Sequence, residues 1–199
     1  MKKLESNLPN MVIVLTIITL LASFLLSSVY GLTKTPIAQA KEQKKTDAIK
    51  NVLPPFERIE NDTVNHLFLY KAFNGTEWIG TAVESSSSHG FGGEVKIMVG
   101  FDEKGTIYGY SVLEQKETPG LGTKMVDWFK TDKNKQSIIG KDLAGKALSL
   151  TKDGGDIDAI TASTISSRAF IEAINTAYTA LADNTDAQTA ATATATTHK

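Results

Sequence analysis

The sequence predicts an α+β fold, an antiparallel sheet with packed helices, preceded by one N-terminal transmembrane helix. Three observations predict it. An uncharged apolar run covers residues 11–32, two pairs of apolar stretches flank turn signals at Asn74-Gly75 and at residues 102–105, and apolar groups recur at helical spacing between residues 167 and 181. With 199 residues there is room for one ordinary domain plus tails, and 41% hydrophobic residues are enough for a core. The expected divisions are an N-terminus (1–10), a membrane anchor (11–32), a stalk with its helix (33–60), a folded domain (61–182) and a disordered Ala/Thr-rich tail (183–199).

About 20 apolar residues rising 1.5 Å each cover roughly 30 Å of hydrocarbon, so residues 11–32 suffice for one span of the lipid bilayer. A cleaved leader is the alternative, because Ala38-Gln39-Ala40 is an A-x-A sequence beyond the run. The run is longer than a leader's usual apolar segment, which favours an uncleaved anchor. Charge orients the span poorly, since Lys34, Lys41, Lys44 and Lys45 outnumber Lys2 and Lys3.

Residues 41–52 suit a helix that Pro54-Pro55 stops. Stretches 66–73 and 77–84 make a hairpin around Asn74-Gly75, and 94–101 with 106–113 make a second, with Val95, Ile97 and Val99 on one buried face. Between them, the serines and glycines of residues 85–93 form a loop, either plainly solvated or open to close approach by a ligand. Its G-x-G-G lacks dinucleotide-binding spacing. Residues 124–129 suit a short helix with Trp128 and Phe129 in the core, 146–151 a strand, and 153–156 a turn. A last helix starts near Ser163 or Thr164, burying Ser167, Phe170, Ile171, Ile174, Ala177, Tyr178 and Leu181 and exposing Arg168, Glu172, Asn175 and Thr179. Beyond it, Ala and Thr offer little to bury.

Composition excludes several functions. A net charge of −1 without a basic, aromatic-interleaved cluster argues against nucleic acid. The absence of Cys removes iron–sulfur clusters, thiolate zinc and thiol nucleophiles, so any redox chemistry must come from another cofactor. His66 (read as a strand residue), His89 (loop) and His198 (disordered) are too dispersed for a metal site.

Two stretches point to a ligand. Asp158-Ala159-Ile160-Thr161-Ala162-Ser163-Thr164 leads into the last helix, whose first turn is either simply capped by these hydroxyls or holds an anion. Glu117-Thr118-Pro119-Gly120-Leu121-Gly122 is a tight turn whose glycines leave backbone open to a planar ring, unless it is a turn alone.

The first stretch resembles the Asp-x-x-(Ser/Thr)-Gly-Ala-Thr flavinylation motif of the FMN-binding domain family, found in the G subunit of the Rnf complex and the C subunit of the sodium-pumping NADH:quinone reductase. The second resembles the family's Glu-Thr-Pro-Gly-Leu-Gly segment. The resemblance implies that Thr164 carries FMN through a phosphoester, with Thr161, Ala162 and Ser163 around it and Glu117, Thr118, Gly120, Leu121 and Gly122 beside the flavin. This chain departs from the motif at Ala162 (Gly) and Ser163 (Ala), and Thr161, Ser163, Ser166 and Ser167 are rival hydroxyls. The resemblance further implies an electron-transfer subunit of an ion-translocating complex of Rnf type, coupled to ferredoxin and NAD, with the domain outside the cytoplasm. Other membrane subunits and a flavin transferase using FAD would be its partners. The short chain and compact strand region favour the G type over the C type. The rival reading is a non-redox, membrane-anchored binding module.

Overall fold

The computed structural model describes residues 7–196, with side-chain surroundings through residue 184. In order come α1 (Leu8–Val52), β1 (Arg58–Val64), β2 (Leu67–Asn74), β3 (Glu77–Ser87), β4 (Val95–Phe101), β5 (Ile107–Glu114), α2 (Met125–Trp128) and α3 (Thr164–Thr196). The chain divides into two compact units, Met1–Lys44 and Lys45–Lys199.

Within the first unit, α1 is long and apolar enough to cross a membrane. Its hydroxyl groups return bonds to their own helix: Thr16 Oγ1 donates to Val12 O, Ser28 Oγ to Phe24 O and Thr33 Oγ1 to Val29 O, each at 2.8 Å. Such bonds let polar side chains sit in hydrocarbon without an unsatisfied donor.

In the second unit the five strands form an antiparallel meander in the order β1-β2-β3-β4-β5. Period-2 alternation sends successive side chains to opposite faces, and both faces are covered. One receives the end of α1: Ala48, Ile49, Val52 and Leu53 pack on Tyr70, Ala72, Ala82, Met98 and Leu113. Gly100 and Gly109 pair across β4 and β5 there. A Cβ at Gly100 would overlap Val52 O, so the glycine keeps a notch for the helix end. The other face receives α3, with Leu69, Val83, Ile97 and Val99 in the same core as Phe170, Ile174 and Ala177. Phe129 stacks on Phe170 at 4.4 Å and Tyr110 meets the same ring edge-on at 4.8 Å. Each fully buried large apolar side chain contributes about 1.5–3 kcal/mol.

The two expected hairpins are present, and α3 buries its expected face, with Tyr178 half-buried. Several expectations are corrected. β4 is covered on both sides, with Met98 on the α1 face. A strand, β1, occupies part of what was expected to be stalk up to residue 60. His66 lies in the β1–β2 turn, not in a strand, and Asn65 and His66 both have positive φ (51° and 66°), as a two-residue type I′ turn requires. Residues 146–151 make no strand; an isolated bridge joins Leu150 to Ile157, and Thr151–Asp153 is a 3₁₀ turn. α3 continues to Thr196 through the stretch expected to be disordered from 183. At that boundary Asn184 donates to Asp62 (2.9 Å) and Asn65 donates to Asp183 (2.6 Å). Residues 1–6 and His198 lie outside the described residues.

Candidate functional site

Thr118-Pro119-Gly120-Leu121 is a type II turn: Leu121 N donates to Thr118 O at 3.1 Å, and Gly120, φ 75°, follows the proline. The turn leaves Glu117 buried, 5% exposed. Its Oε2 accepts from Ser166 Oγ at 2.5 Å, and its Oε1 accepts from Gly92 N at 3.2 Å. Ser163 Oγ in turn lies 2.9 Å from Ser166 Oγ. One carboxyl therefore fastens together the glycine loop, the Glu117 segment and the first turn of α3.

The nearby glycines serve this packing. A Cβ at Gly122 would come 2.6 Å from Ser166 Oγ and 2.7 Å from Glu117 Cβ, and one at Gly92 would overlap Lys116 O. At Gly92 and Gly122 the close approach is to the protein's own segments, whereas a Cβ at Gly93 or Gly120 would meet nothing within 4 Å. Gly122 is buried, whereas Thr118, Gly120 and Leu121 lie exposed on the turn. Each fastened segment exposes one large apolar side chain: Phe91 (69%), Leu121 (38%) and Ile165 (50%).

The turn into α3 is closed by Ser163 N donating to Ile160 O at 3.0 Å, which places Ala162 at φ 60°. Left-handed backbone costs a residue with a Cβ about 1–2 kcal/mol, a physical reason for glycine in the motif this segment resembles. The first helical bond runs from Ser167 N to Ser163 O at 3.0 Å, so the N–H groups of Thr164, Ile165 and Ser166 precede the intrahelical ladder.

Burial separates the candidate hydroxyls. Ser163, Ser166 and Ser167 are buried, and Ser167 Oγ donates to Ser163 O (2.9 Å) while accepting from Ile160 N (2.9 Å). Thr161 is exposed and Thr164 half-buried. Thr164 Oγ1 accepts from Lys152 Nζ at 2.9 Å. Asp158, at the head of the motif, secures the approach: its carboxylate accepts from Thr151 Oγ1 (3.2 Å) and Lys135 N (3.3 Å), and its carbonyl from Trp128 Nε1 (2.9 Å). This donor set suits a phosphate on Thr164, since an ammonium group and open helix N–H groups both favour an anion.

Lys152 and Asp153 were not singled out as site residues from sequence, and Ser166 was named only as a rival hydroxyl. Arg168 donates to both oxygens of Asp153, at 2.9 and 2.6 Å, and holds that carboxyl below the usual carboxylate range. The Thr151–Asp153 turn is thereby tied to α3 one helical turn past Thr164. A surface depression of ≈ 620 Å³ adjoins Asp156 and Lys141 rather than Thr164. No cluster of metal-ligating groups occurs among the described residues.

A family model described as the FMN-binding domain matches residues 90–179. Over 175 residues the chain is 32% identical to the G subunit of the ion-translocating oxidoreductase complex of Yersinia pestis, covering 78% of this chain and 81% of that one. It is 32% identical to the protein of the same name from Escherichia coli K12 (77% and 81% covered), and 30% identical to that from Aliivibrio fischeri ES114 (83% and 86%).

Proposed function

Because the chain belongs to the family of G subunits of ion-translocating oxidoreductase complexes, we propose that it is an electron-relay subunit of an Rnf-type complex, with FMN esterified to Thr164. The observation that carries the reading is the Glu117–Ser166 hydrogen bond, which joins the two motif segments two residues from Thr164. When bound, FMN exchanges one or two electrons, so the protein needs to supply binding and electrostatics rather than an acid, base or nucleophile.

The chain's own groups divide that work. Thr164 Oγ1 is the point of attachment, and Lys152 and the first-turn N–H groups of α3 offset the phosphate's charge. Glu117 fixes the relative placement of the segments bearing Phe91, Leu121 and Ile165, whose exposed apolar surface suits a flat ring. Thr161, Ala162, Ser163, Thr118, Gly120 and Gly122 shape the two turns around it. Ester attachment keeps the cofactor at high local concentration outside the cytoplasm, where we place the domain, with α1 crossing the cytoplasmic membrane. The other membrane subunits are its electron partners, the coupled reaction is between ferredoxin and NAD, and a flavin transferase using FAD matures it. The names of the relatives favour this G-type reading over a C-type one.

The test is to co-express the chain with a flavin transferase and run it on a denaturing gel. A fluorescent band that survives boiling, and that Thr164→Ala abolishes while protein still accumulates, is expected. Colourless wild-type protein would overturn the reading.

A further inference from the structure

Lys152 and Thr164 come from separate elements, the Thr151–Asp153 turn and the start of α3, yet the ammonium meets the hydroxyl at 2.9 Å. Both Lys152 and Arg168 are exposed, so neither is placed by burial. What places Lys152 is its neighbour: Asp153 is gripped by Nε and Nη2 of Arg168 at 2.9 and 2.6 Å. Arg168 is in turn fixed by α3, because residues four apart share a helix face and Arg168 follows Thr164 by one turn. The tight backbone beyond completes the arrangement, with Gly154 at φ 82° and Gly155 so close to Ser149 O that a Cβ would overlap it.

A lysine ammonium has three donors and no acceptor, so toward Thr164 it can only donate. Resting on a neutral hydroxyl, it satisfies a single lone pair, and its charge acts on the neighbouring Asp153 carboxylate, which Arg168 already grips. An anionic phosphate on the same oxygen gives the charge a second partner, directly at the ammonium. We infer that Lys152, held by the Arg168–Asp153 pair, is the positioning residue for the phosphate that joins Thr164, engaging its hydroxyl before transfer and the phosphate oxygens after it. The inference rests on the Thr164 attachment proposed above. In the transfer, Thr164 Oγ1 bonds to the flavin-side phosphorus of FAD, the phosphate–phosphate P–O bond breaks, AMP leaves, and the hydroxyl proton passes to a base on the transferase. Lys152 stabilises the negative charge on the phosphate oxygens and exchanges no proton.

The experiment uses full-length unloaded chain in detergent, purified transferase and FAD, and follows growth of the fluorescent band. The ³¹P resonance of the loaded protein is a second readout. Lys152→Met is expected to slow loading on the order of tenfold, the scale of one charge-assisted hydrogen bond, and to shift the ³¹P resonance. Lys152→Arg is expected to restore most of both, and Arg168→Gln to fall between. The melting temperature of unloaded Lys152→Met is expected to match wild type. Wild-type loading rate with an unmoved ³¹P resonance in Lys152→Met overturns the inference, as does a slowed rate that Lys152→Arg leaves unrestored. Wild-type chain that takes up no flavin overturns the attachment itself, and is told apart from both because the wild-type band is missing.

Discussion

Two glutamates are buried in this domain, one on each side of the sheet, and their partners differ in kind. Glu84, 7% exposed, faces the end of α1 and is ion-paired to Lys45 at 2.7 Å and Lys96 at 2.8 Å. Burial pushes its carboxyl pKa up, but hydrogen bonds and charge from Lys45 and Lys96 outweigh burial and hold it below its usual value. Glu117, 5% exposed, has a serine hydroxyl and a backbone N–H. Charge compensation at Glu84 makes a structural joint between helix and sheet. Neutral donors at Glu117 bring together the glycine loop, the Glu117 segment and the first turn of α3, while Lys152 faces Thr164.

Glycine substitutions test this contrast most severely. Gly100→Ala drives a Cβ into Val52 O on the α1 face and is expected to cost about 1–3 kcal/mol or more, lowering the melting temperature while folded protein still accepts flavin. Gly122→Ala meets Ser166 Oγ and Glu117 and is expected to lose flavin loading along with stability. Equal loading by the two variants would break the assignment of separate roles to the two faces.

A milder comparison replaces the acids. Glu84→Gln removes the carboxylate that Lys45 and Lys96 share and is expected to cost about 1–3 kcal/mol, measured by denaturant unfolding, with loading unchanged. Glu117→Gln keeps an acceptor for Ser166 and is expected to alter the visible circular dichroism of bound flavin more than the unfolding midpoint. The reverse ranking would exchange the roles.

The acids also set a pH dependence. Glu84 and Asp62 both titrate below their usual values in the folded protein, Asp62 first through the Asn184 hydrogen bond and then through Lys71. A lowered folded pKa gives stability that is present above the unfolded value, about 4, and lost as pH falls through the folded one. Acid unfolding below about pH 4 is therefore expected to flatten in Glu84→Gln. Truncation after residue 181, which removes Asn184, is expected to cost about 1 kcal/mol at neutral pH. An unchanged midpoint would mean that the Asp183 and Asn184 contacts contribute nothing to stability.

The smallest effect concerns Ala162. Glycine at φ 60° relieves left-handed strain, so Ala162→Gly is expected to stabilise by about 1 kcal/mol, seen as a small rise in melting temperature.

What the sequence made legible was local. Asn74-Gly75 announced its hairpin, the spacing of Phe170, Ile174 and Ala177 announced the buried face of α3, and both motif segments stood out as written. β1 did not, because an edge strand reading Arg-Ile-Glu-Asn-Asp-Thr-Val has little apolar alternation. Glycines look alike in sequence whether they admit a ligand or the chain itself, and Gly92 and Gly122 admit the chain. Lys152 sits in a stretch read as turn, and only the Arg168–Asp153 grip from a different element brings it to Thr164.

The most direct measurement is peptide mass mapping of flavin-loaded wild-type protein across residues 158–168. Ser163, Ser166 and Ser167 are buried, which leaves the exposed Thr161 and the half-buried Thr164 as the accessible hydroxyls among these residues. FMN is expected on Thr164 alone; FMN on Thr161 or on any of the serines would contradict attachment at the start of α3 beside Lys152.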